Sequence, residues 1–255
     1  MSENIKEQKI RQAARLILSS KHTTVFTGAG ISVESGIPPF RGKNGLWGKF
    51  NPQLLDIGFF MQKPLKSWTF IQEVFFDGFG NTKPNSAHQV IAELEQRGLV
   101  KAVITQNIDG LHQKAGSREV YEFHGNLRDL VCTGCGKIHH ANETDLSQLP
   151  PYCDLCGGLL KPDFVFFGEP IPEPANSLSF GEVSKADLFL VIGTTGEIMP
   201  ASSIPIAFSD LGKKVIEINV EPSGYTTGIT DIFLQGKASE VLQDILQFTE
   251  KYTVD

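Results

Sequence analysis

No run in this 255-residue chain comes near the roughly 18 consecutive apolar residues that a membrane-spanning helix needs. The first residues, Met1 to Lys9 with Glu3 and Glu7 among them, lack the apolar centre of a secretory signal. A soluble, cytoplasmic protein with no membrane partner is the expectation. Positive charge is also short: 23 basic against 29 acidic side chains leave a formal charge of −6. That balance argues against a coat for nucleic-acid phosphates, so no specific nucleic acid is expected, while a basic peptide would be tolerated. Glycine and proline, at 25 and 14 residues, stop well below collagen-like or low-complexity composition. What remains is a chain long enough to bury a core and to carry one large domain with a smaller module.

Cysteine is scarce, yet its four copies are clustered. Cys132, Cys135, Cys153 and Cys156 read C-x2-C, a 17-residue gap, then C-x2-C. In a chain without extracellular signals, that spacing points to a structural zinc rather than disulfides. Four thiolates would fill a tetrahedral site and leave no position for a catalytic water.

Residues 4 to 20 place Ile5, Ile10, Ala13, Ala14 and Ile17 at helical intervals, which predicts an amphipathic helix. Thr23 to Thr27 is a β-branched and aromatic run stopped by Gly28-Ala29-Gly30, a strand entering a glycine-rich turn. Strands of the same type are predicted at Val100 to Thr105, Ala186 to Gly193 and Lys214 to Val220, each nearly continuous in apolar residues, as in a parallel sheet covered on both faces. Ser86 to Arg97 reads as a helix with Gly98 as its stop. The alternation predicts an α/β, doubly wound parallel sheet. It is interrupted twice, by a Phe-rich stretch at 45–83 and by the cysteine stretch at 126–160. These two insertions are expected to form a small zinc-binding and helical domain, with 1–44, 84–125 and 161–255 forming the nucleotide-binding domain.

Several segments at strand ends carry chemistry. Gly28 and Gly30 would let the backbone approach a pyrophosphate, with a helix starting near Ile31 aiming its amides at the charge. Val33 stands at the third glycine position of the dinucleotide fingerprint, and a turn without ligand also explains Gly-Ala-Gly. Gln106, Asn107 and Asp109 follow the second strand, where they would face a ligand crevice or serve as turn residues. Gly193-Thr194-Thr195-Gly196 and Ile218-Asn219-Val220-Glu221-Pro222 end two more strands, with hydroxyls and amides for phosphate and Asn or Glu for ribose.

Of the six histidines, His88 and His112 fall in helical patterns and suit capping or core roles. His139 and His140 lie in the cysteine module, where four thiols make them unnecessary as ligands. His22 precedes the first strand and reads as solvated. His124, between sheet and module, is the candidate general base.

Taken together and in order, GAGISVESGIPPFRG (28–42), TQNIDGLH (105–112), FHG (123–125), the C-x2-C pair, KPDFVFFGE (161–169), GTTGEIMPASSIP (193–205) and INVEP (218–222) resemble the sirtuin, or Sir2-like, family of NAD-dependent protein deacylases in its bacterial and archaeal single-domain form. The resemblance implies a Rossmann-like large domain, a structural zinc, and NAD consumed as co-substrate. In the implied reaction the acyl oxygen of an acyl-lysine protein or peptide attacks the nicotinamide ribose and expels nicotinamide. His124 then acts as base on a ribose hydroxyl, whose oxygen attacks the amidate carbon, and water completes the sequence to give free lysine and O-acyl-ADP-ribose. Asn107 would position the ribose, and Asp109 with the Ile108 backbone would receive the carboxamide. Phe40 would shield the ribose and Arg41 meet phosphate. Gly28, Ala29, Gly30, Gln106, Gly193, Thr194 and Thr195 would line the phosphate and ribose path, with Asn219, Val220, Glu221 and Ala238 on the adenosine side. Val165, Phe166, Phe167, Gly168 and Glu169 would pair with the peptide backbone as an added strand.

Three departures from the family pattern bear on this. Pro39 replaces the usual Asp or Thr, Thr195-Gly196 replaces Ser-Leu, and Ile71 and Val74 stand where removers of acidic acyl groups carry Tyr and Arg. A succinyl carboxylate would be left unpaired there, so apolar acyl groups are expected over succinyl or malonyl. A mono-ADP-ribosyltransferase or NAD hydrolase on the same fold is the alternative, with a non-enzymatic NAD sensor behind it. A hydride-transferring dehydrogenase is disfavoured by the missing third glycine.

Overall fold

The computed structural model describes residues 3–40, 45–79 and 82–252. Helix α1 (Glu3–Ser19) leads into β1 (Thr23–Thr27), which runs straight into a short 3-10 helix, Ala29–Ser35. After α2 (Ile57–Gln62), α3 (Pro64–Ile71) and a π-helical turn at Gln72–Asp77 come α4 (Ser86–Gln96), β2 (Val100–Thr105), α5 (Leu111–Ala115) and β3 (Val120–Glu122). The chain continues through β4 (Gly125–Cys132), β5 (Ile138–His140), β6 (Leu160–Phe164), α6 (Ala175–Lys185), β7 (Leu188–Ile192), α7 (Ser203–Ser209), β8 (Lys214–Asn219), β9 (Ile232–Gln235) and α8 (Ala238–Tyr252).

Six strands form one parallel sheet in the order β3-β2-β1-β7-β8-β9, a doubly wound, Rossmann-like arrangement. Strand order reverses between β1 and β7, so the crevice beyond their carboxyl ends is the topological switch point. Successive residues of each central strand feed opposite cores. Val25, Leu190 and Ile216 pack with α1, α4 and α8, while Phe26, Phe189, Val191 and Val215 pack with α6 and α7. Both faces are covered, which is why these strands read as unbroken apolar runs.

A second, three-stranded antiparallel sheet, β5-β4-β6, carries the cysteines. It extends to Phe164, because β6 pairs with β4, rather than ending at residue 160 as the cysteine spacing suggested. The Phe-rich stretch folds against it: Phe60, Trp68, Phe70, Phe75 and Phe79 share one buried cluster with Leu130, Cys132, Cys153, Leu160 and Phe166. Trp68 Nε1 donates to the Leu160 carbonyl at 2.9 Å, tying α3 to β6.

Two loops meet at the switch point with no side chain between them. A Cβ on Gly30 would lie 2.7 Å from Gly193 Cα, and one on Gly28 2.8 Å from Thr194 Cβ. Gly193 has φ +62, and its own Cβ would lie 2.4 Å from Ile31 N. Gly193→Ala should therefore combine left-handed strain with a backbone clash and cost on the order of 3 kcal/mol. Gly212→Ala, at φ +72 with nothing within 4 Å, should cost only the conformational share, about 1 kcal/mol. Denaturant titration compares the two, and equal losses would show that space at the switch point is not the constraint.

Candidate functional site

The sheet's hydrogen bonding continues past its strand ends and fixes the loops of the crevice. Gly28 N donates to Ile192 O, Gly30 N to Gly193 O, Gly193 N to Ile218 O, Gln106 N to Thr27 O, Phe123 N to Thr105 O and Gly236 N to Asn219 O, all within 2.8–3.1 Å. The register pairs Thr27 with both Thr105 and Ile192, so these loops leave from one edge. The approach of Gly193–Thr194 by itself requires both glycines. The helix expected near Ile31 is a single 3-10 stretch beginning at Ala29, because Gly28 has extended backbone and Gly36 closes the turn at φ 92. Gly28 and Gly30 N–H are spent between the loops, while the Ala29 N–H carries no hydrogen bond among the described residues.

Behind the turn lies a buried polar cluster. Ser32 Oγ donates to Asp109 Oδ2 at 2.7 Å and accepts from Asn107 Nδ2 at 3.2 Å. Asn107 Nδ2 also reaches Gly28 O at 3.2 Å, so its Oδ1 is the group it presents. Asp109 Oδ1 accepts from Leu111 N at 2.9 Å. Burial pushes the Asp109 carboxyl above its ordinary range, and the Leu111 amide, the Ser32 hydroxyl and Lys114 offset this only in part. The Ile108 carbonyl is held by Leu127 N, and its N–H carries no hydrogen bond among the described residues. Deeper still, Thr27 Oγ1 bonds Thr105 Oγ1 at 2.8 Å and His112 Nε2 at 3.0 Å. His88 completes the capping box of α4 with Asn85, and its ring meets His112 edge-on at 4.9 Å. Both histidines are buried and neutral: desolvation holds His112 well below its usual pKa and His88 at about 4.

His124 is the second of the two residues that step from the large sheet to the small one. Phe123 N belongs to the β2 edge, while the His124 carbonyl accepts from Val165 N at 2.9 Å. Gly125 follows at φ +74, where a Cβ would lie 2.2 Å from Asp163 O. The His124 imidazole Nδ1 is 3.0 Å from the Gln106 carbonyl. A carbonyl can only accept, so the proton sits on Nδ1 and Nε2 keeps its lone pair. Burial lowers the His124 pKa, and the Gln106 carbonyl offsets part of that shift.

Across the crevice, Gln106 Nε2 donates to Thr194 Oγ1 at 3.1 Å and Asn219 Nδ2 to Thr194 O at 3.0 Å. Asn219 Oδ1 accepts from Val220 N, so that side chain braces the loop with both its polar atoms. Thr195, Val220 and Glu221 are exposed at the rim, and Ala238 is buried at the start of α8. Phe40 is half-buried against Trp47 and Phe75. Arg41 lies outside the described residues. In the 165–169 segment, Phe167 N–H and C=O pair with Leu55 and Ile57, and Phe166 N–H is held by Glu169 Oε2 at 2.8 Å. The Val165 carbonyl and the Gly168 N–H carry no hydrogen bond among the described residues, so any strand addition here has these to use.

The four cysteine sulfurs lie within 4.8 Å of one another, with 3.4 Å between Cys132 and Cys156 and 3.8 Å between Cys135 and Cys153. Sulfurs at about 2.3 Å from a tetrahedral zinc sit about 3.8 Å apart, so the thiols fit that ion. Gly158 leaves room for them, since a Cβ there would meet Cys132 Sγ at 2.8 Å. His139 Nε2 lies 3.3 Å from Cys153 Sγ, outside this tetrad. His22 is paired rather than solvated: its Nε2 meets the buried Glu182 at 2.7 Å.

Residues 28–200 match the model of the Sir2 family. The chain belongs to the Sir2 family. Among its relatives, this Sir2 chain is 46% identical over 238 residues to NAD-dependent protein deacylase 2 of Pyrobaculum aerophilum, covering 92% of this chain and 93% of that one. A structure described as bearing on the mechanism and regulation of Sir2 enzymes superposes with a TM-score of 0.89 at 42% identity, covering 96% of this chain and 99% of that one. A Sir2 complex with a p53 peptide and NAD+ superposes at 0.86 and 34% identity, with 96% and 99% covered. No helix among the described residues is long and apolar enough to cross a membrane.

Reading the Sir2 motifs in sequence missed Ser32, whose hydroxyl joins Asp109 to Asn107, and the hydroxyl pair Thr27 and Thr105. The one available signal was their place at the ends of β1 and β2 and inside the glycine-rich turn. The neutral histidines beneath the site set a stability limit. The unfolded chain takes up a proton on His88 near 6.5, whereas the folded chain resists until about 4. Stability is present above 6.5 and is lost as pH falls towards 4, by on the order of 3 kcal/mol from this group. Chemical denaturation across that range should show a shallower loss in His88→Gln, and an unchanged slope would remove His88 from the account.

Proposed function

We propose that this Sir2 chain is an NAD-dependent protein-lysine deacylase that releases nicotinamide, free lysine and O-acyl-ADP-ribose. The observation that carries the reading is the free Nε2 of His124 at the mouth of the switch-point crevice, next to a loop able to add a strand. The names of the chain's relatives, and the peptide and NAD+ held by a Sir2 structure of the same fold, support it.

NAD supplies, when bound, an ADP-ribosyl group whose bond to nicotinamide is broken by the acyl oxygen. The chain's residues do the rest. His124 Nε2 takes the proton from a ribose hydroxyl, with its Nδ1 proton held by Gln106 O so that the ring cannot change tautomer without losing a bond. Asn107 Oδ1 orients the ribose, and Asp109 with the Ile108 N–H accepts and donates to a carboxamide. Gly28, Ala29, Gly30, Thr194 and Thr195 line the phosphate path, and Phe40 excludes water from the reacting carbon. Asn219 acts through Thr194, while Val220, Glu221 and Ala238 bound the adenosine end. Residues 45–83 and 126–160 with β6 form the small lobe, and Cys132, Cys135, Cys153 and Cys156 hold a structural zinc. The cleft between lobes takes an acyl-lysine peptide along Val165–Glu169. Ile71 and Val74 are buried among Phe70, Phe75 and Phe79, which supports apolar over acidic acyl groups.

The test is nicotinamide release with NAD and an acetyl-lysine peptide. Turnover should require both and fall by roughly 100-fold or more in His124→Ala. Release without peptide, or ADP-ribose transferred to protein without lysine unmasking, would favour a mono-ADP-ribosyltransferase or NAD hydrolase instead. Across a panel of acyl peptides, acetyl and longer apolar chains should exceed succinyl and malonyl by at least about tenfold in kcat/KM. Zinc removal by a strong chelator should melt the small lobe before activity can be measured, seen as early loss of near-ultraviolet circular dichroism. Retained ellipticity together with full loss of metal would contradict a structural role.

A further inference from the structure

Lys161 is an ammonium buried inside the lobe that the cysteines staple. Its side chain is only 7% exposed, and it projects from β6 over the Phe166 ring at 4.4 Å from the centroid. Its ammonium has two backbone acceptors and one carboxylate partner. Nζ donates to Pro162 O at 2.9 Å and to Phe164 O at 2.8 Å, and it forms an ion pair with Glu169 Oε2 at 3.1 Å. The same Glu169 oxygen accepts Phe166 N–H. Phe166 O in turn accepts Glu169 N at 3.0 Å, and Gly168 holds φ +93, which makes Phe166–Glu169 a type II turn with glycine at its required third position. Lys161 therefore ties the end of β6 to the far side of this turn through a single carboxylate. On the opposite flank the turn is held by Leu55 and Ile57 through Phe167.

We propose that Lys161 is a positioning residue for the peptide substrate: through Glu169 it sets the turn that displays the Val165 carbonyl and Gly168 N–H to an incoming backbone. This rests on the deacylase reading. Lys161 is buried and acts through Glu169, so its effect falls on peptide binding. Because Glu169 is already neutralised, the turn recognises main chain and offers no net charge to side chains of the peptide. Burial draws the Lys161 pKa down while Glu169 holds it up, consistent with a cation whose place depends on that partner.

The test uses the zinc-loaded full chain, with peptide and NAD varied in turn. Lys161→Met should raise the peptide KM about tenfold, leave the NAD KM and kcat within about twofold, and add little when combined with Glu169→Gln, as expected for two groups acting as one unit. Lys161→Arg, which keeps the charge beside Glu169, should recover most of the loss. A peptide KM within twofold of wild type in Lys161→Met, or peptide and NAD constants rising together, overturns the inference. If the Met variant loses its zinc or melts, amide exchange at Phe166 in Lys161→Arg and Glu169→Gln decides. Faster exchange in Glu169→Gln than in Lys161→Arg supports the proposal, and wild-type protection in both refutes it. A wild-type protein without peptide-dependent nicotinamide release would instead refute the deacylase reading, a separate outcome.

Discussion

The whole site depends on the meeting of two backbones at the switch point, where the turn after β1 and the loop after β7 touch at Gly30 and Gly193. Parallel strands bring their carboxyl ends to one edge, but they do not by themselves close that edge. Here Gly30 N reaches across to Gly193 O and Thr194 is held by Gln106 and Asn219, so four strand ends become one rigid rim. Asn107, Asp109 and Ser32 are oriented from behind this rim, and a displacement of either loop would disturb all of them. Close packing leaves no room for compensation.

The small lobe is built on a different principle. Its sheet has only three strands, and its aromatic residues come from a stretch that precedes it by some way in the chain. The Trp68 to Leu160 bond and the shared cluster around Phe75 and Phe166 join the two insertions, while the thiols gather the loops that apolar burial alone would leave loose. The two lobes thus divide the work: one is specified by two-sided burial of strands, the other by aromatic packing plus a metal-ligating tetrad.

Much of this was legible in the sequence, for identifiable reasons. Strands buried on both faces write long apolar runs, so β1, β2, β7 and β8 stand out, and residues at their ends fall in the crevice by topology alone. The cysteine pair declares itself by spacing. What could not be read depends on contacts between distant segments. That Gly28 and Gly30 must also leave room for Gly193 and Thr194 is one such contact. Ser32 is one hydroxyl among several until Asp109 and Asn107 converge on it. Lys161 gives no local sign of its role, because nothing in the sequence says that the following turn will fold back over it. The small sheet runs past residue 160 because β6 pairs with a strand whose register the cysteine spacing does not encode, and His22 acquires a partner from a helix 160 residues away.

His124 also stands in the two-residue link between the two sheets, with its ring bonded at the end of one and its carbonyl at the end of the other. The imidazole therefore cannot be indifferent to how the lobes stand. A rotation that opens the cleft about Phe123–Gly125 must either drag the ring away from Gln106 or break the bond to Val165. Cleft closure and the aiming of Nε2 are in this sense a single mechanical coordinate, and a protein caught open would have its imidazole detuned as well as its substrate unbound.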